Sequence, residues 1–253
     1  MEIVAIICRK GGVGKTATAQ ALGAGLRRDG YKVLYIDLDS QTNLTYGLAA
    51  DPEGVTVAEV LEGKATAADA IQHTEQGDIL AGSDALALAD MTMQGKAHEY
   101  LLKKAINGLQ YDYVVIDTPA QLGILTINAL AAANSIVIPV QAEIYSLQGM
   151  GQLRRIISTV QQSCNSGLYI RGILITRYNG RAIISRDMQS NLEQAAEFMH
   201  TRLFDTPIRE CVSIKEAQAS QQDIFKYAPH SNAAKDYNAF IDEFLKGGKP
   251  GNQ

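Results

Sequence analysis

Short hydrophobic runs alternate with amphipathic stretches along almost the whole chain, and this pattern predicts strands that are separated by helices. The predicted strands are 3–7, 32–37, 78–82, 111–117, 135–140, 170–176 and a short last one at 207–208. The predicted helices are 15–29, 42–48, 56–62, 66–71, 96–109, 123–133, 146–162, 183–201, 213–220 and 234–245. Such alternation is typical of an α/β fold with a doubly wound, mainly parallel sheet and helices on both faces.

Composition favours one globular domain. The 253 residues are 46% hydrophobic and 20% charged, which is ordinary for a folded protein that buries a large core. We expect a single domain at 1–246 and a flexible, glycine-containing tail at 247–253. The three cysteines form no CxxC pair, and no basic leader precedes the first strand, so we expect a cytoplasmic location.

The stretch from Cys8 to Thr16, CRKGGVGKT, lies between the first strand and the first helix. Its three glycines permit backbone conformations that are closed to other residues, so successive N–H groups can surround phosphate oxygens. In this setting we expect Lys15 to contact the β- and γ-phosphates and the Thr16 hydroxyl to bind Mg²⁺. The usual pattern GxxxxGK[ST] would have its first glycine at Arg9, and a second lysine, Lys10, follows.

Carboxylates follow two other predicted strands, at the sheet edge where parallel strands end. Asp117 ends one of them, in the position where phosphate-loop enzymes keep an aspartate for Mg²⁺. Asp37 and Asp39 are two residues apart, so in an extended segment they face the same side, one near Mg²⁺ and one near the attacking water. Since phosphoryl transfer needs mainly positioning and charge neutralisation, these groups predict an ATP hydrolase with ATP and Mg²⁺ as cofactors.

The motifs together resemble those of the ParA/MinD family of deviant Walker A ATPases, which are P-loop NTPases. The similarity rests on RKGGVGKT, DLDSQTN and VVIDTPAQLG, and it extends over nearly the whole chain. The short ParA/Soj partition proteins are the most similar type, because the chain starts directly at the phosphate-loop strand. Ser40, Thr42 and Ala120 depart from the common pattern, but every charged group is retained.

The resemblance implies a role for each matching residue. The implied catalytic residues are Lys10, Lys15 and Asp39, with Lys10 reaching the nucleotide of a partner subunit and Asp39 positioning the water. The implied nucleotide-binding residues are Lys10, Gly11, Gly12, Val13, Gly14, Lys15, Thr16, Ala17, Arg177, Pro207 and Arg209. The implied metal residues are Thr16, Asp37 and Asp117.

The resemblance also implies a cellular function. An ATP-dependent homodimer would bind DNA non-specifically at the nucleoid and drive plasmid or chromosome partition, with a ParB-like partner that stimulates hydrolysis. Charge permits this, because residues 1–143 carry 10 Lys/Arg against 17 Asp/Glu, whereas residues 144–253 carry 13 against 10. The candidate DNA-binding residues are Arg181, Arg186, Arg209, Lys215 and Lys226.

Three other kinds of protein share the phosphate-loop motif of this family. A MinD-like ATPase that cycles on membranes needs a basic amphipathic helix at its end, but residues 236–245 carry three acids and no basic residue, so no membrane partner is expected. An electron-transfer relative would need cysteines near the second acidic motif, where the sequence has none. An ATPase that positions other cargo would share every residue discussed, so this alternative stays open.

Overall fold

A seven-stranded sheet forms the centre of the protein in our computed structural model, which describes residues 1–93, 96–141, 146–179 and 183–247. The strands are β1 (Glu2–Ile6), β2 (Val33–Asp37), β3 (Ile71–Thr74), β4 (Gly77–Leu80), β5 (Tyr113–Asp117), β6 (Ser135–Gln141) and β7 (Tyr169–Thr176). Their order across the sheet is β3-β4-β2-β5-β1-β6-β7, and only the β3–β4 pair is antiparallel. The predicted fold class is therefore confirmed. The predicted tail at 247–253 lies outside the described residues, apart from its first glycine.

Helices cover both faces of this sheet. They are α1 (Lys15–Arg28), α2 (Asn43–Gly47), α3 (Val57–Leu61), α4 (Ala67–Ala70), α5 (Ala89–Thr92), α6 (Leu101–Ala105), α7 (Ile124–Ala132), α8 (Ser146–Ser163), α9 (Ile183–Phe198), α10 (Val212–Ala219), α11 (Ile224–Tyr227) and α12 (Asn232–Lys246). Two 3₁₀ turns, Asp84–Leu88 and Lys96–Tyr100, precede α5 and α6.

Alternating side chains of the strands build two separate cores. In β2, Leu34 and Ile36 belong to the core that lies under α3 to α9. Val33 and Tyr35 point to the opposite face, where they join the core formed with α1, α2 and α10 to α12. Because both faces are covered, the strands are hydrophobic on both sides, as is typical of parallel sheets.

The strand order brings the predicted polar clusters together. β5 lies between β1 and β2, so its last residue, Asp117, pairs in register with Ile6 on one side and with Asp37 on the other. The phosphate loop follows β1 directly, and Asp39 follows β2. The three clusters therefore meet at the carboxyl edge of the sheet, as predicted.

One predicted helix, 96–109, is shorter and is broken at its start. Its first part is the 3₁₀ turn, and only Leu101–Ala105 is α-helical. The Asn128 side chain causes the break, because its Oδ1 accepts from the N–H of Leu102 at 3.0 Å and its Nδ2 donates to the carbonyl of His98 at 2.7 Å. These are the two groups that an α-helix would join to each other.

The predicted strand at 207–208 is wrong, although the segment does run beside β7. It makes only isolated bridges with its neighbours, Ile173 with Leu203 and Tyr178 with Arg209. Between them, the N–H groups of 205 and 206 donate to the Glu243 carboxylate at 2.8 and 3.0 Å, and Pro207 has no N–H. A continuous ladder cannot form when its donors are used elsewhere or missing.

Two further local predictions need correction. The helix predicted at 66–71 ends at Ala70, and the sequence did not reveal that Ile71 begins β3, which covers the sheet edge. In the helix predicted at 213–220, Ser213 with Glu216 three residues later favours a capping box, and this prediction is also wrong. α10 begins one residue earlier with Cys211 at its N-cap, and the Ser213 hydroxyl lies 2.9 Å from the Cys211 thiol.

Candidate nucleotide-binding site

A cavity of about 810 Å³ lies at the carboxyl edge of the sheet, between the phosphate loop and α10. The loop side contributes Gly11, Gly12, Gly14, Lys15, Thr16 and Ala17. Asp39, Ser40, Gln41, Asn43 and Tyr46 follow from the segment after β2. The cavity is in the range of sites that take small-molecule ligands and cofactors.

The phosphate loop is held by the two strands on its far side. The Gln141 amide at the end of β6 donates to the Gly12 carbonyl at 3.0 Å, and the Thr176 hydroxyl at the end of β7 donates to the Val13 carbonyl at 2.7 Å. Gly12 and Gly14 have φ values of 74° and 86°, in the left-handed region that favours glycine. This loop leads directly into the N-terminus of α1, which is a favourable place for phosphate.

The two lysines of the loop have different surroundings. Lys15 is the first residue of α1, is only 7% exposed and lines the cavity. Lys10 is half-buried and is not among the residues that line the cavity of its own chain. Lys15 is therefore placed to bind a nucleotide in this cavity, and Lys10 is placed outside it.

Asp117 is fully buried beside the phosphate loop. Its Oδ2 accepts a hydrogen bond from the Thr16 hydroxyl at 2.6 Å, whereas its buried Oδ1 has no hydrogen-bond partner among the described residues. A buried carboxylate oxygen without a donor is costly, and a cation next to it removes that cost. The Thr16 hydroxyl and the Asp117 carboxylate are oxygen ligands of the kind that Mg²⁺ prefers, so these residues fit Mg²⁺.

Asp37 is also fully buried, but both of its oxygens already have protein donors. Oδ1 accepts from the N–H of Asp39 at 3.1 Å. Oδ2 accepts from the N–H of Thr45 at 2.9 Å and from its hydroxyl at 2.8 Å. In this arrangement Asp37 fixes the backbone of the site, so its predicted part in the metal site would be a supporting one.

Burial raises the pKa of both buried aspartates. For Asp117 the negative charge of Asp37 raises the pKa further, while the Thr16 hydrogen bond and the Lys15 charge act in the opposite direction. For Asp37 burial outweighs the hydrogen bonds from Thr45 and Asp39 that lower its pKa. Carboxylates in such a setting need nearby positive charge to ionise fully.

The acidic groups do not form a complete metal cage. In the parts of the chain that the structure describes, no three or more His, Cys, Asp and Glu side chains are grouped to hold a metal ion. This fits a magnesium site in which nucleotide phosphates, water and one hydroxyl supply most of the ligands.

Asp39 lies at the rim of the cavity and is half-buried. Its Oδ1 accepts from the N–H of Gln41 at 3.0 Å, which closes a turn of the kind that aspartate side chains favour. Its own N–H is held by Asp37. The turn thus fixes both the backbone and the carboxylate of Asp39 beside the space where a phosphate would lie.

The opposite wall comes from the C-terminal part of the chain, and sequence reasoning missed most of it. Its lining residues are Ile208, Cys211, Ile214, Lys215, Gln218, Ala219 and Tyr237. Apolar side chains and one aromatic ring next to a few polar groups are suited to bind the planar base of a nucleotide. The sequence offered only the short α10 helix as a signal, and nothing in its pattern pointed toward the phosphate loop.

The three C-terminal residues that the resemblance implies for nucleotide binding, Arg177, Pro207 and Arg209, do not all line the cavity. Arg177 does line the cavity, with φ of 51° and an ion pair to Glu210 at 2.9 Å. Pro207 and Arg209 are not among the lining residues. The Arg209 guanidinium binds the Asp236 carboxylate through two nitrogens instead, at 2.6 and 2.9 Å.

The five candidate DNA-binding residues differ in whether the structure describes them and in what surrounds them. Arg181 and the side chain of Arg186 lie outside what the structure describes. Arg209 is paired with a carboxylate, Lys215 lines the cavity, and Lys226 lies 3.7 Å from the Glu75 carboxylate. Arg209 and Lys226 therefore have separate acidic partners, and no contact that the structure describes joins the three candidates.

Fold and site together define a P-loop nucleotide-binding protein of the α/β class. A family model described as an AAA domain matches residues 1–170. The sporulation initiation inhibitor protein Soj of Bacillus subtilis (strain 168) is 36% identical over 98% of this chain and 99% of its own length. The chromosome-partitioning ATPase Soj of Thermus thermophilus is 36% identical over 96% of this chain and 94% of its own length.

A solved structure is similar over the same extent. It is described as cobyrinic acid a,c-diamide synthase from Mycobacterium smegmatis with bound ATP analog and magnesium, and it is 34% identical, with a TM-score of 0.83. The alignment covers 97% of this chain and 95% of that one. The chain belongs to this AAA-domain family and, within it, to the ParA/MinD ATPases. It is accordingly an ATP hydrolase, and the residues described above fit ATP and Mg²⁺.

Proposed function

We propose that this protein drives plasmid or chromosome partition as a ParA-type ATPase that dimerises on ATP and binds DNA without sequence preference. Hydrolysis is slow until a ParB-like partner stimulates it, and release from DNA follows. The observation that carries the proposal is Lys10, which adjoins the glycine stretch yet does not line the cavity of its own chain. Such a position suits a side chain that serves the nucleotide of a second subunit. The nearly full-length similarity to a chromosome-partitioning ATPase supports the same function.

Within one subunit, the proposed chemistry divides among three sets of groups. Lys15 and the loop N–H groups bind the phosphates, and Thr16 with Asp117 holds Mg²⁺. When bound, the ion neutralises charge that develops on the phosphate oxygens. Asp39 orients the attacking water from the cavity rim and accepts its proton. Cross-subunit completion by Lys10 makes hydrolysis depend on the dimer.

DNA binding by this dimer would be electrostatic and weak per subunit. A dimer presents the basic residues of two subunits, so affinity rises steeply when ATP joins the subunits. If the dimer neutralises about four phosphates, affinity falls on the order of a hundredfold between 50 and 200 mM salt. The excess of basic residues in the C-terminal half supports such an electrostatic contact, and the contact would place the protein at the nucleoid.

The C-terminal helix, α12, argues against a membrane-cycling role. The apolar side chains of α12 pack into the core, including Tyr237, Phe240, Ile241 and Phe244. A helix whose apolar face is used in this way has no such face left for a lipid surface. Across the described residues, no helix is both long enough and apolar enough to cross a bilayer.

The test is sedimentation and co-sedimentation with random-sequence duplex DNA, with ATP, ADP or no nucleotide. We expect the wild type to dimerise and bind DNA only with ATP. Lys10→Ala should bind ATP as a monomer and fail to bind DNA. Lys103→Ala, which removes an exposed lysine of α6, is the matched control and should behave as wild type. DNA binding without nucleotide, or a fully active Lys10→Ala dimer, would contradict the proposal.

A further inference from the structure

Thr45, the third residue of α2, is fully buried, and its N–H and hydroxyl make three hydrogen bonds at the base of the site. Its N–H and its hydroxyl both donate to Asp37 Oδ2, at 2.9 and 2.8 Å. The same hydroxyl accepts from the N–H of Gly82 at 2.8 Å. The hydroxyl therefore uses its only proton on the carboxylate, and its orientation is fixed from both sides.

Gly82 fits closely against Asp37 from the side of β4. A Cβ atom at Gly82 would lie 2.9 Å from the Asp37 carbonyl oxygen and 3.1 Å from its carboxyl carbon. The segment that follows β4 thus lies too close to Asp37 for any side chain at position 82. The Thr45 hydroxyl fills the corner between the two strands and α2, and it holds the Asp37 carboxylate in one orientation.

The other oxygen of this carboxylate continues the chain of contacts toward the cavity. Asp37 Oδ1 accepts from the N–H of Asp39 at 3.1 Å, and the Asp39 carboxylate then accepts from Gln41. A rotation of the Asp37 carboxylate would break the bond to Asp39. The Thr45 hydroxyl therefore controls the place of Asp39 through one intermediate side chain.

α2 itself is anchored at its far end, so Thr45 cannot simply follow the carboxylate. Two buried amides, Gln20 and Gln76, donate to the carbonyl of Gly47 at 3.1 and 2.7 Å. Gln20 belongs to α1, the helix that carries Lys15. The position of Thr45 is thereby fixed relative to the phosphate loop.

We propose that Thr45 is a positioning residue for ATP hydrolysis, because its hydroxyl orients Asp37 and, through it, the backbone of the water-positioning residue Asp39. The inference rests on the proposed role of Asp39. It assigns Thr45 no contact with ATP, Mg²⁺ or water. Its loss should therefore lower the turnover number and leave nucleotide affinity nearly unchanged.

The test compares Thr45→Val, which has nearly the same shape but no hydroxyl, with Thr45→Ser, which keeps the hydroxyl. We expect kcat to fall at least tenfold in Thr45→Val, with KM for ATP within about threefold of wild type. Thr45→Ser should return kcat to within about threefold. If Thr45 only packed the core, KM and global stability would change together. The more impaired variant would then be Thr45→Ser, which loses the methyl group.

A second measurement uses the nucleotide-free protein. Hydrogen exchange of residues 38–42 should become at least tenfold faster in Thr45→Val and stay near wild type in Thr45→Ser, while exchange in β1 stays unchanged. Normal exchange at 38–42 in a folded Thr45→Val protein would overturn the inference, as would normal kcat. If Asp39→Ala turned over normally, the proposed role of Asp39 would be wrong instead.

Thr45→Val leaves a buried charge short of a donor, so the variant can fail to fold. In that case Asp37→Ala is compared with the double variant Asp37→Ala/Thr45→Val, because neither protein has a carboxylate that the Thr45 hydroxyl could orient. Because Thr45 acts through the Asp37 carboxylate, we expect kcat of the two proteins to agree within twofold. A further tenfold loss in the double variant would overturn the inference.

Discussion

Replacing Asp117 with asparagine should remove a pH-dependent destabilisation of the nucleotide-free protein. Asparagine keeps the shape of the side chain and can accept the Thr16 hydrogen bond, but it carries no charge. Burial raises the pKa of Asp117, and the Asp37 carboxylate raises it further. The folded protein therefore keeps a proton on this carboxyl group at pH values where the unfolded chain has released it.

The sign and size of the effect follow from proton linkage. Above about pH 4, where a free aspartate titrates, the folded state binds more protons than the unfolded state, so stability falls as pH rises toward the raised pKa. One group contributes at most about 1.4 kcal/mol per pH unit, or roughly 2.7 kcal/mol from pH 5 to pH 7. At about 2–4 °C per kcal/mol for a chain of this size, the wild-type Tm should fall up to roughly 5–10 °C more than that of Asp117→Asn.

Circular dichroism melts at pH 5, 6 and 7 measure this difference, since the chain has no Trp for fluorescence. The new amide adds a pH-independent cost of about 1–3 kcal/mol where it lacks an acceptor, which shifts the whole curve but not its slope. Asp84→Asn, at an exposed position, is the control and should run parallel to wild type. If the plots of Tm against pH ran parallel for Asp117→Asn and wild type, the proposed proton linkage would be refuted. Mg²⁺ with ATP should raise the Tm of the wild type and of Asp84→Asn more than that of Asp117→Asn.

Three further substitutions test separate parts of the site. Lys15→Ala should lower ATP affinity by about 2–5 kcal/mol, measured by calorimetry, because a buried charge contact to phosphate is lost; normal affinity would exclude the assigned role. Asp39→Ala should bind ATP normally but turn over at least about a hundredfold more slowly in a phosphate-release assay, and wild-type turnover would count against it. Gly14→Ala should cost about 1–2 kcal/mol of stability, because φ is 86° although the nearest atom to a new Cβ is 3.9 Å away. Gly11→Ala, in open space and without a positive φ, is its control, and equal melting temperatures for the two would contradict the backbone explanation.

The sequence was most informative where chemistry follows directly on a strand. Asp37 and Asp117 end hydrophobic runs, and parallel strands end at one edge, so their closeness could be predicted before any contact was known. The phosphate loop is likewise local, because its glycines, lysine and hydroxyl all lie within nine residues. Residues this close in sequence have relative positions that can be predicted from the strand and the loop alone.

The sequence was least informative where a distant side chain decides the local structure. Asn128 breaks the helix predicted at 96–109 from a position more than twenty residues away. Glu243 binds the N–H groups of residues 205 and 206, and so interrupts the pairing with β7 just before the strand predicted at 207–208. Thr45 gave no signal at all, since a threonine in a short helix has many ordinary uses. Such contacts depend on the packing of separate elements, which periodicity alone does not describe.

The turn between β3 and β4 also has a practical consequence. It lies at the outer edge of the sheet, where a surface turn would ordinarily be chosen for a fluorescent insertion or a cross-linking tag. Yet the Gln76 side chain from this turn bonds both to the carbonyl of Gly47 and, at 2.7 Å, to the carbonyl of Gln221, just beyond α10. One residue of the turn thereby braces the two segments that flank the cavity. Labelling experiments should therefore avoid this hairpin, because an insertion there would disturb the nucleotide site that it was meant to report on.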